Sequence, residues 1–316
     1  MDDSWIPTSA NSARETMSLR SLFRFLTDHW VLDRLDRVAV GMGWAVWEGC
    51  GVTEHQTSVT RTSQLVRSCL HIFGGKWQNY RMCGRIYTPA SAEIERAWKI
   101  DRGNSNPFAE KYNVAPQQGN PNNFVPVVRQ TDDGGFELVR MQWWLLPFWS
   151  KEPKVKYSTF NARVETVVKA ASFREPLKKR RCLIPVMGWY EWQELPGGNL
   201  PWFLHGSDNK ILAVAGLWDR WQGKEEHGGE IIESCTIVVG PANEKFNPIH
   251  DRMPFCLDEK RAHTWLDRGL TEADKVMEIL QPNPDDSITF HRVGKRVSNA
   301  RNQGADLIDP VVDATT

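Results

Sequence analysis

Beyond residue 83 the chain alternates apolar and polar positions over short runs broken by Gly, Pro and Asp. Arg85-Ile86-Tyr87 reads as a short strand, and Ser91 to Ile100 as a helix, with Ser91 as its cap and Glu93 and Glu95 in the first turn. Asp101 to Pro107 is loop, and Tyr112-Asn113-Val114-Ala115-Pro116 leads into a strand from Asn123 to Gln130. Asp132-Asp133-Gly134-Gly135 turns that strand into a second one, Phe136 to Trp144. Pro147-Phe148-Trp149 ends it, and a Lys-rich loop runs to Tyr157.

Phe160 to Thr166 then opens a helical stretch that Pro176 is expected to end. Strands follow at Arg180–Pro185, Gly188–Gln193, Trp202–Leu204, Ile211–Leu217 and Ile231–Val239, with Pro196-Gly197-Gly198 as a hairpin turn. Arg261–Leu266 and Thr271–Leu280 are helical, the latter with Thr271-x-x-Asp274 as a capping pattern. From Pro282 the chain is loop with one strand, Ile288 to Val293. Many short strands, few helices and no β-α-β rhythm predict an α+β fold. The expectation is a single domain, residues 83–310, with a mixed, barrel-like β core flanked by helices and a short tail at 311–316.

Residues 1–81 read differently. Leu22, Phe25, Leu26, Trp30, Leu32 and Leu35 give segment 18–37 a helical spacing among Ser, Thr and Arg. The Gly41-x-Gly43 pair lacks the third glycine of a dinucleotide fingerprint, and the Asp content makes a poor transit peptide. The expectation is a poorly ordered extension: either the true start is Met82, or a pro-segment is removed.

Composition narrows the classes. Apolar content of 41% and charged content of 25% suit a globular chain, and no apolar run reaches membrane-span length. The six Cys (50, 69, 83, 182, 235 and 256) show no C-x-x-C pair, so neither a zinc site nor a disulfide framework is expected. Lys+Arg balances Asp+Glu at 39 each, which gives no whole-chain argument for nucleic acid. Locally the balance tips: residues 140–190 hold 11 Lys/Arg against 3 Asp/Glu. Such a run is a solvated face unless a site lies beside it.

Four polar residues sit inside apolar or aromatic segments: Cys83 before Gly84, Asn161 after Phe160, Glu191 among Trp189, Tyr190 and Trp192, and His250 between Pro248 and Pro254. Taken singly, they read as a small buried hydrophobe, a helix cap, the outer face of a strand and a structural loop His. Taken together, they are the nucleophile, amide, carboxyl and imidazole that thiol chemistry needs. An apolar setting would push the Glu191 carboxyl up toward a general-acid role.

The ordered set of motifs resembles the SRAP family, the SOS-response-associated peptidase-like proteins that process abasic sites. The motifs are Met82-Cys83-Gly84-Arg85, Tyr112–Pro116, Asn161-Ala162-Arg163-Val164-Glu165-Thr166, Arg181–Pro185, Gly188-Trp189-Tyr190-Glu191-Trp192, Ala215–Trp218, Pro241–Glu244, Ile249–Pro254 and Val297–Gly304. The resemblance implies single-stranded DNA with abasic sites as partner, no cofactor and no metal, and a monomer in the cytoplasm, at the nucleoid when acting on DNA.

It also implies the chemistry. An N-terminal Cys83 would offer an amine of pKa roughly 8 and a thiol that together trap the sugar aldehyde as a thiazolidine. Autoproteolysis would expose that Cys, with Glu191 and His250 assisting. Asn161 would orient the sugar or amine, Glu191 would act as acid/base and His250 would assist proton transfer. Arg85, Arg163 and Arg252 would clamp phosphates, while Trp143, Trp149 and the Pro116 loop would stack on or wedge bases. Trp144 stands where the family usually has Gly, and Met187 where it often has Asp. Two alternatives stay open: a thiol peptidase acting on other proteins, and a non-catalytic reader of single-stranded or modified DNA.

Overall fold

The computed structural model of the protein describes residues 83–100, 107–120, 123–224 and 228–311. The expectations for the 1–81 extension, the helix at 18–37, most of the 101–107 loop and the tail beyond Val311 lie outside the described residues.

The alternating runs form thirteen strands among the described residues. They are β1 Ile86–Thr88, β2 Lys111–Val114, β3 Phe124–Gln130, β4 Phe136–Trp143, β5 Asn161–Arg163, β6 Arg181–Val186 and β7 Gly188–Leu195. The rest are β8 Gly198–Gly206, β9 Leu212–Gln222, β10 Ile231–Pro241, β11 Arg252–Pro254, β12 Cys256–Leu257 and β13 Ile288–Arg292. Four helices accompany them: α1 Ser91–Trp98, α2 Arg174–Lys179, α3 Glu259–Leu266 and α4 Ala273–Met277.

Five strands close on themselves in the order β10-β4-β3-β6-β9 and back to β10. Only β4–β10 in that ring is parallel, so the core is a mixed closed barrel. A second sheet, β13-β8-β7-β1-β2, is wholly antiparallel. The α+β class and the barrel-like core are therefore as expected.

β6 shows how the layers meet. All six of its residues are buried, as a strand covered on both faces requires. Cys182 and Ile184 join a cluster shared with Ile86, Trp189 and Leu204 of the second sheet. Leu183, on the opposite face, joins Leu177, Trp265 and Val276 of the helices. Arg181 is buried with them, and its guanidinium donates to the carbonyls of Leu177, Lys178, Trp265 and Asp267 at the ends of α2 and α3.

Turn chemistry acts where expected. Gly134, at φ +86°, lets Thr131 N–H reach Gly135 O at 2.9 Å between β3 and β4. Leu195 pairs with Gly198 across Pro196-Gly197. Gly188 has a different reason: a Cβ there would lie 2.4 Å from Leu204 O and 2.5 Å from the Phe203 ring, so only hydrogen fits where β7 crosses β8.

Several local expectations are corrected. Ser91 is the first helical residue rather than the cap, and its hydroxyl accepts from Phe108 N–H at 3.3 Å. Phe160–Thr166 is not helical: Asn161–Arg163 form β5, which lies parallel to β10 and finds its hydrogen bonds there. Pro176 lies inside α2, in the first turn, where its missing N–H has no intrahelical acceptor to lose. Thr271 does not cap α4, which starts after Glu272 without a side-chain cap.

Candidate active site

Strand pairing explains how distant residues converge. β1 runs antiparallel to β7 with Ile86 opposite Trp189, so the residues just before β1 lie beside those just after Trp189. Cys83 and Glu191 are thereby brought to one place. β10 is the second organiser. On one side it pairs with β5, with Ile237 opposite Asn161; on the other it pairs with β11, with Pro241 opposite Arg252. The buried Trp143 steadies β5 by donating its indole N–H to Phe160 O at 2.8 Å. His250 ends a hydrogen-bonded turn in which Ile249 and His250 N–H both reach Phe246 O.

The four residues meet. Asn161 Nδ2 donates to Cys83 O at 2.8 Å. The Cys83 thiol, fully buried, lies 3.7 Å from Arg252 O and feels the nearby Glu191 carboxylate. Glu191 Oε2 is 3.9 Å from His250 Nε2. His250 Nδ1 lies 3.0 Å from the Arg252 nitrogen, 3.2 Å from the Arg252 carbonyl and 3.4 Å from Asp251 Oδ1, while Nε2 faces Glu191.

Burial sets the electrostatics. Loss of solvent pushes the Glu191 carboxyl up to about 7, against the opposing pull of His250 and the Cys83 thiol. Burial, reinforced by the neighbouring Glu191 charge, pushes the Cys83 thiol well above its ordinary value. The thiol is therefore held protonated, and Glu191 is poised to give or take a proton near neutrality. Asn161 Oδ1 and Glu191 Oε1 are both buried without a hydrogen-bond partner.

The other residues singled out from the sequence fall into two groups. Arg85 stands behind the site: Nη1 donates to Asn113 Oδ1 at 2.8 Å and Val297 O at 2.7 Å. Asn113 Nδ2 also bonds Val297 O and Asn299 O, so these two side chains fasten the C-terminal Val297–Gly304 motif to β1 and β2. Arg252 is ion-paired with Glu165, and Arg163 is half-buried at the end of β5. Trp143 is a correction: its ring is fully buried, so it is a core residue with no face open to a base.

Trp149 is 47% exposed beside Phe148 and Tyr157, along a loop carrying the exposed Lys151, Lys154 and Lys156. The Lys-rich run thus forms an exposed basic and aromatic surface. Pro116 lines an open groove of about 660 Å³ together with Tyr112, Asn123, Arg301 and Gln303.

Sequence reasoning left Glu165 and Asn113 without roles, although both lie in the motifs. Their signal was a charged or amide side chain held within a short strand-like motif. Among the described residues, no group of three or more His, Cys, Asp or Glu gathers as a metal site, and no helix is long and apolar enough to cross a membrane.

Comparison with known proteins adds the following. Residues 82–300 match the family model described as SOS response associated peptidase (SRAP). The chain is 33% identical over 235 residues to the abasic site processing protein YoqW of Bacillus subtilis, covering 72% of this chain and 99% of that protein. It is 32% identical over 237 residues to the abasic site processing protein HMCES of Pongo abelii, covering 65% of this chain and 66% of that one. Among solved structures, a Bacteroides thetaiotaomicron protein superposes with a TM-score of 0.60 at 22% identity, over 72% of this chain and all of the other, a likeness of fold.

Proposed function

The chain belongs to the SRAP family, and on that premise we propose that it processes abasic sites in single-stranded DNA by crosslinking to them through Cys83. The reactive form begins at Cys83, because a cysteine inside the chain has no free amine. The segment ahead of it is removed, and the Cys83 thiol is the candidate nucleophile for that cut.

The amine attacks the ring-opened sugar aldehyde, and the carbinolamine takes up one proton and loses water to give an iminium ion that keeps its N–H. The thiol gives up its proton as its sulfur bonds to the iminium carbon and the C=N pair returns to nitrogen, closing a five-membered thiazolidine. Glu191, pushed up to about 7, gives the proton that leaves with the water and then receives the thiol proton. His250, with Nε2 toward Glu191, relays protons to and from that carboxyl. Asn161 fixes the Cys83 carbonyl and with it the approach of the amine.

One observation carries this reading. Asn161 Oδ1 and Glu191 Oε1 are buried acceptors lacking donors; the first belongs to the side chain that holds the Cys83 carbonyl, the second to the carboxyl whose charge acts on the Cys83 thiol. Buried polar groups are almost always satisfied, and an α-ammonium at residue 83 offers three donors to that spot.

The test is intact mass before and after incubation with single-stranded DNA carrying one abasic site. A chain starting at Cys83 that gains the DNA mass is the expected result, and Cys83→Ala is expected to give none. A persistent adduct in Cys83→Ala would remove Cys83 as nucleophile. A chain that keeps its upstream residues and gains no mass would overturn the proposal in favour of a thiol peptidase or a non-covalent reader.

A further inference from the structure

The geometry points to Glu165 as a positioning residue for the chemistry at Cys83, an inference that rests on the function proposed above. Glu165 follows β5 directly, and its Oε1 accepts from Arg252 Nη1. Arg252 is where the site's backbone contacts converge. Its N–H donates to His250 Nδ1 at 3.0 Å, and its carbonyl faces the Cys83 thiol at 3.7 Å. Whatever fixes residue 252 therefore fixes both the backbone groups that His250 Nδ1 meets and the resting place of the thiol.

The strand layout makes the ion pair a brace. β5 and β11 flank β10, with Arg163 and Pro254 both opposite Val239, and Val164 N–H continues the β5 contact to Val239 O at 2.9 Å. β5 carries Asn161, which holds the Cys83 carbonyl; β11 begins with Arg252, which meets the Cys83 thiol. The Glu165–Arg252 pair spans β10 and joins the two strands that hold Cys83 from opposite sides. β11 has only three residues and three ladder partners, and this side-chain tie adds a further link at its first residue. Glu165 is 44% exposed at its side chain, so truncating it opens no buried cavity.

The experiment uses Glu165→Ala and Glu165→Gln with two readouts. At saturating abasic single-stranded DNA, the first-order rate of adduct formation is expected to fall on the order of 10- to 100-fold in Glu165→Ala, the scale of a small misplacement of reacting groups. Glu165→Gln keeps an acceptor for Arg252 and is expected to recover most of the rate. Affinity for the strand is expected to hold or tighten, because a negative charge beside a phosphate ligand is lost. A wild-type rate in Glu165→Ala, a Gln variant as slow as Ala, or a loss confined to affinity would each overturn the inference.

The second readout needs no DNA. The nitrogen-15 NMR ring shifts of His250 are expected to differ between the wild type and Glu165→Ala. Unchanged shifts would also overturn it. If the wild type forms no adduct, the functional proposal fails by itself, and the ring shifts alone decide the role of Glu165.

Discussion

Asn161 Nδ2 donates to the main-chain oxygen of Cys83 at 2.8 Å, so a side chain from a three-residue strand grips the backbone ahead of β1. Both groups are buried, and neither has water to fall back on. Replacing Asn161 with Ala leaves the Cys83 carbonyl unsatisfied, a loss of about 1–3 kcal/mol. The expected outcome is a lower urea midpoint with an unchanged slope, together with a slower adduct on abasic DNA. A wild-type midpoint would mean that the carbonyl finds another donor.

Glu191 makes stability depend on pH with a definite sign. Its carboxyl is pushed up to about 7 by burial, from an ordinary value of 4.5. Below about pH 4.5 it is protonated in folded and unfolded chains alike, and burying it carries no ionic penalty. Between about 4.5 and 7 the unfolded chain ionises first, so the native state loses stability as pH rises through that window. Above 7 the full penalty applies, on the order of 3 kcal/mol. Glu191→Gln is therefore expected to match the wild type near pH 4.5 and exceed it in stability at pH 8, by chemical denaturation at each pH. The same variant is expected to abolish the acid/base step. A stability difference independent of pH would show that the Glu191 carboxyl ionises alike in the folded and unfolded chains, so that burial does not raise it.

The part of this fold legible beforehand is the part set by neighbours in sequence. Asp132 to Gly135 and Pro196 to Gly198 announce hairpins because turn geometry depends on those residues alone. β5 was not legible: Asn161-Ala162-Arg163 is a strand only because β10, some seventy residues later, supplies its hydrogen bonds. The same holds for the site. Cys83, Asn161, Glu191 and His250 stood out as polar residues in apolar surroundings, but only β1–β7 pairing and the two flanks of β10 bring them together. Side-chain type also misled at Trp143, which bonds Phe160 O from the core although it looks from the sequence like a ligand contact.

Gly188 ties the packing of β7 to the placement of Glu191. Its hydrogen faces Leu204 O and the Phe203 ring at distances a methyl group cannot share, and Glu191 lies three residues further along the same strand. Gly188→Ala is expected to displace β7 from β8 and cost about 1–3 kcal/mol by overpacking. Because the displacement reaches Glu191, adduct formation is expected to slow in protein that remains folded. Thermal melting alongside adduct kinetics checks both. A loss of stability with a normal rate would mean that the shift is absorbed before residue 191.

The exposed loop after β4 carries both open rings and charges, so the DNA binding proposed for it divides into stacking and phosphate contact. Trp149 is anchored by one edge, its indole N–H reaching Ala171 O at 3.3 Å, while nearly half of the residue stays open beside Phe148 and Tyr157. Lys151, Lys154 and Lys156 lie in the same loop and are exposed. A base stacked on the open ring is worth about 1–3 kcal/mol, so Trp149→Ala is expected to weaken binding of undamaged single-stranded DNA by that amount. It should leave the salt dependence alone, because no counterion is released by a neutral side chain. Changing the three Lys to Gln is expected to do the reverse, reducing the slope of log K against log salt by about 2, at roughly 0.7 per phosphate contact on a single strand. Fluorescence anisotropy in a Cys83→Ser background, titrated at several salt concentrations, reads both effects without interference from the crosslink. An unchanged slope in the Lys variant would move the phosphate contacts off this loop, and full affinity in Trp149→Ala would do the same for the bases.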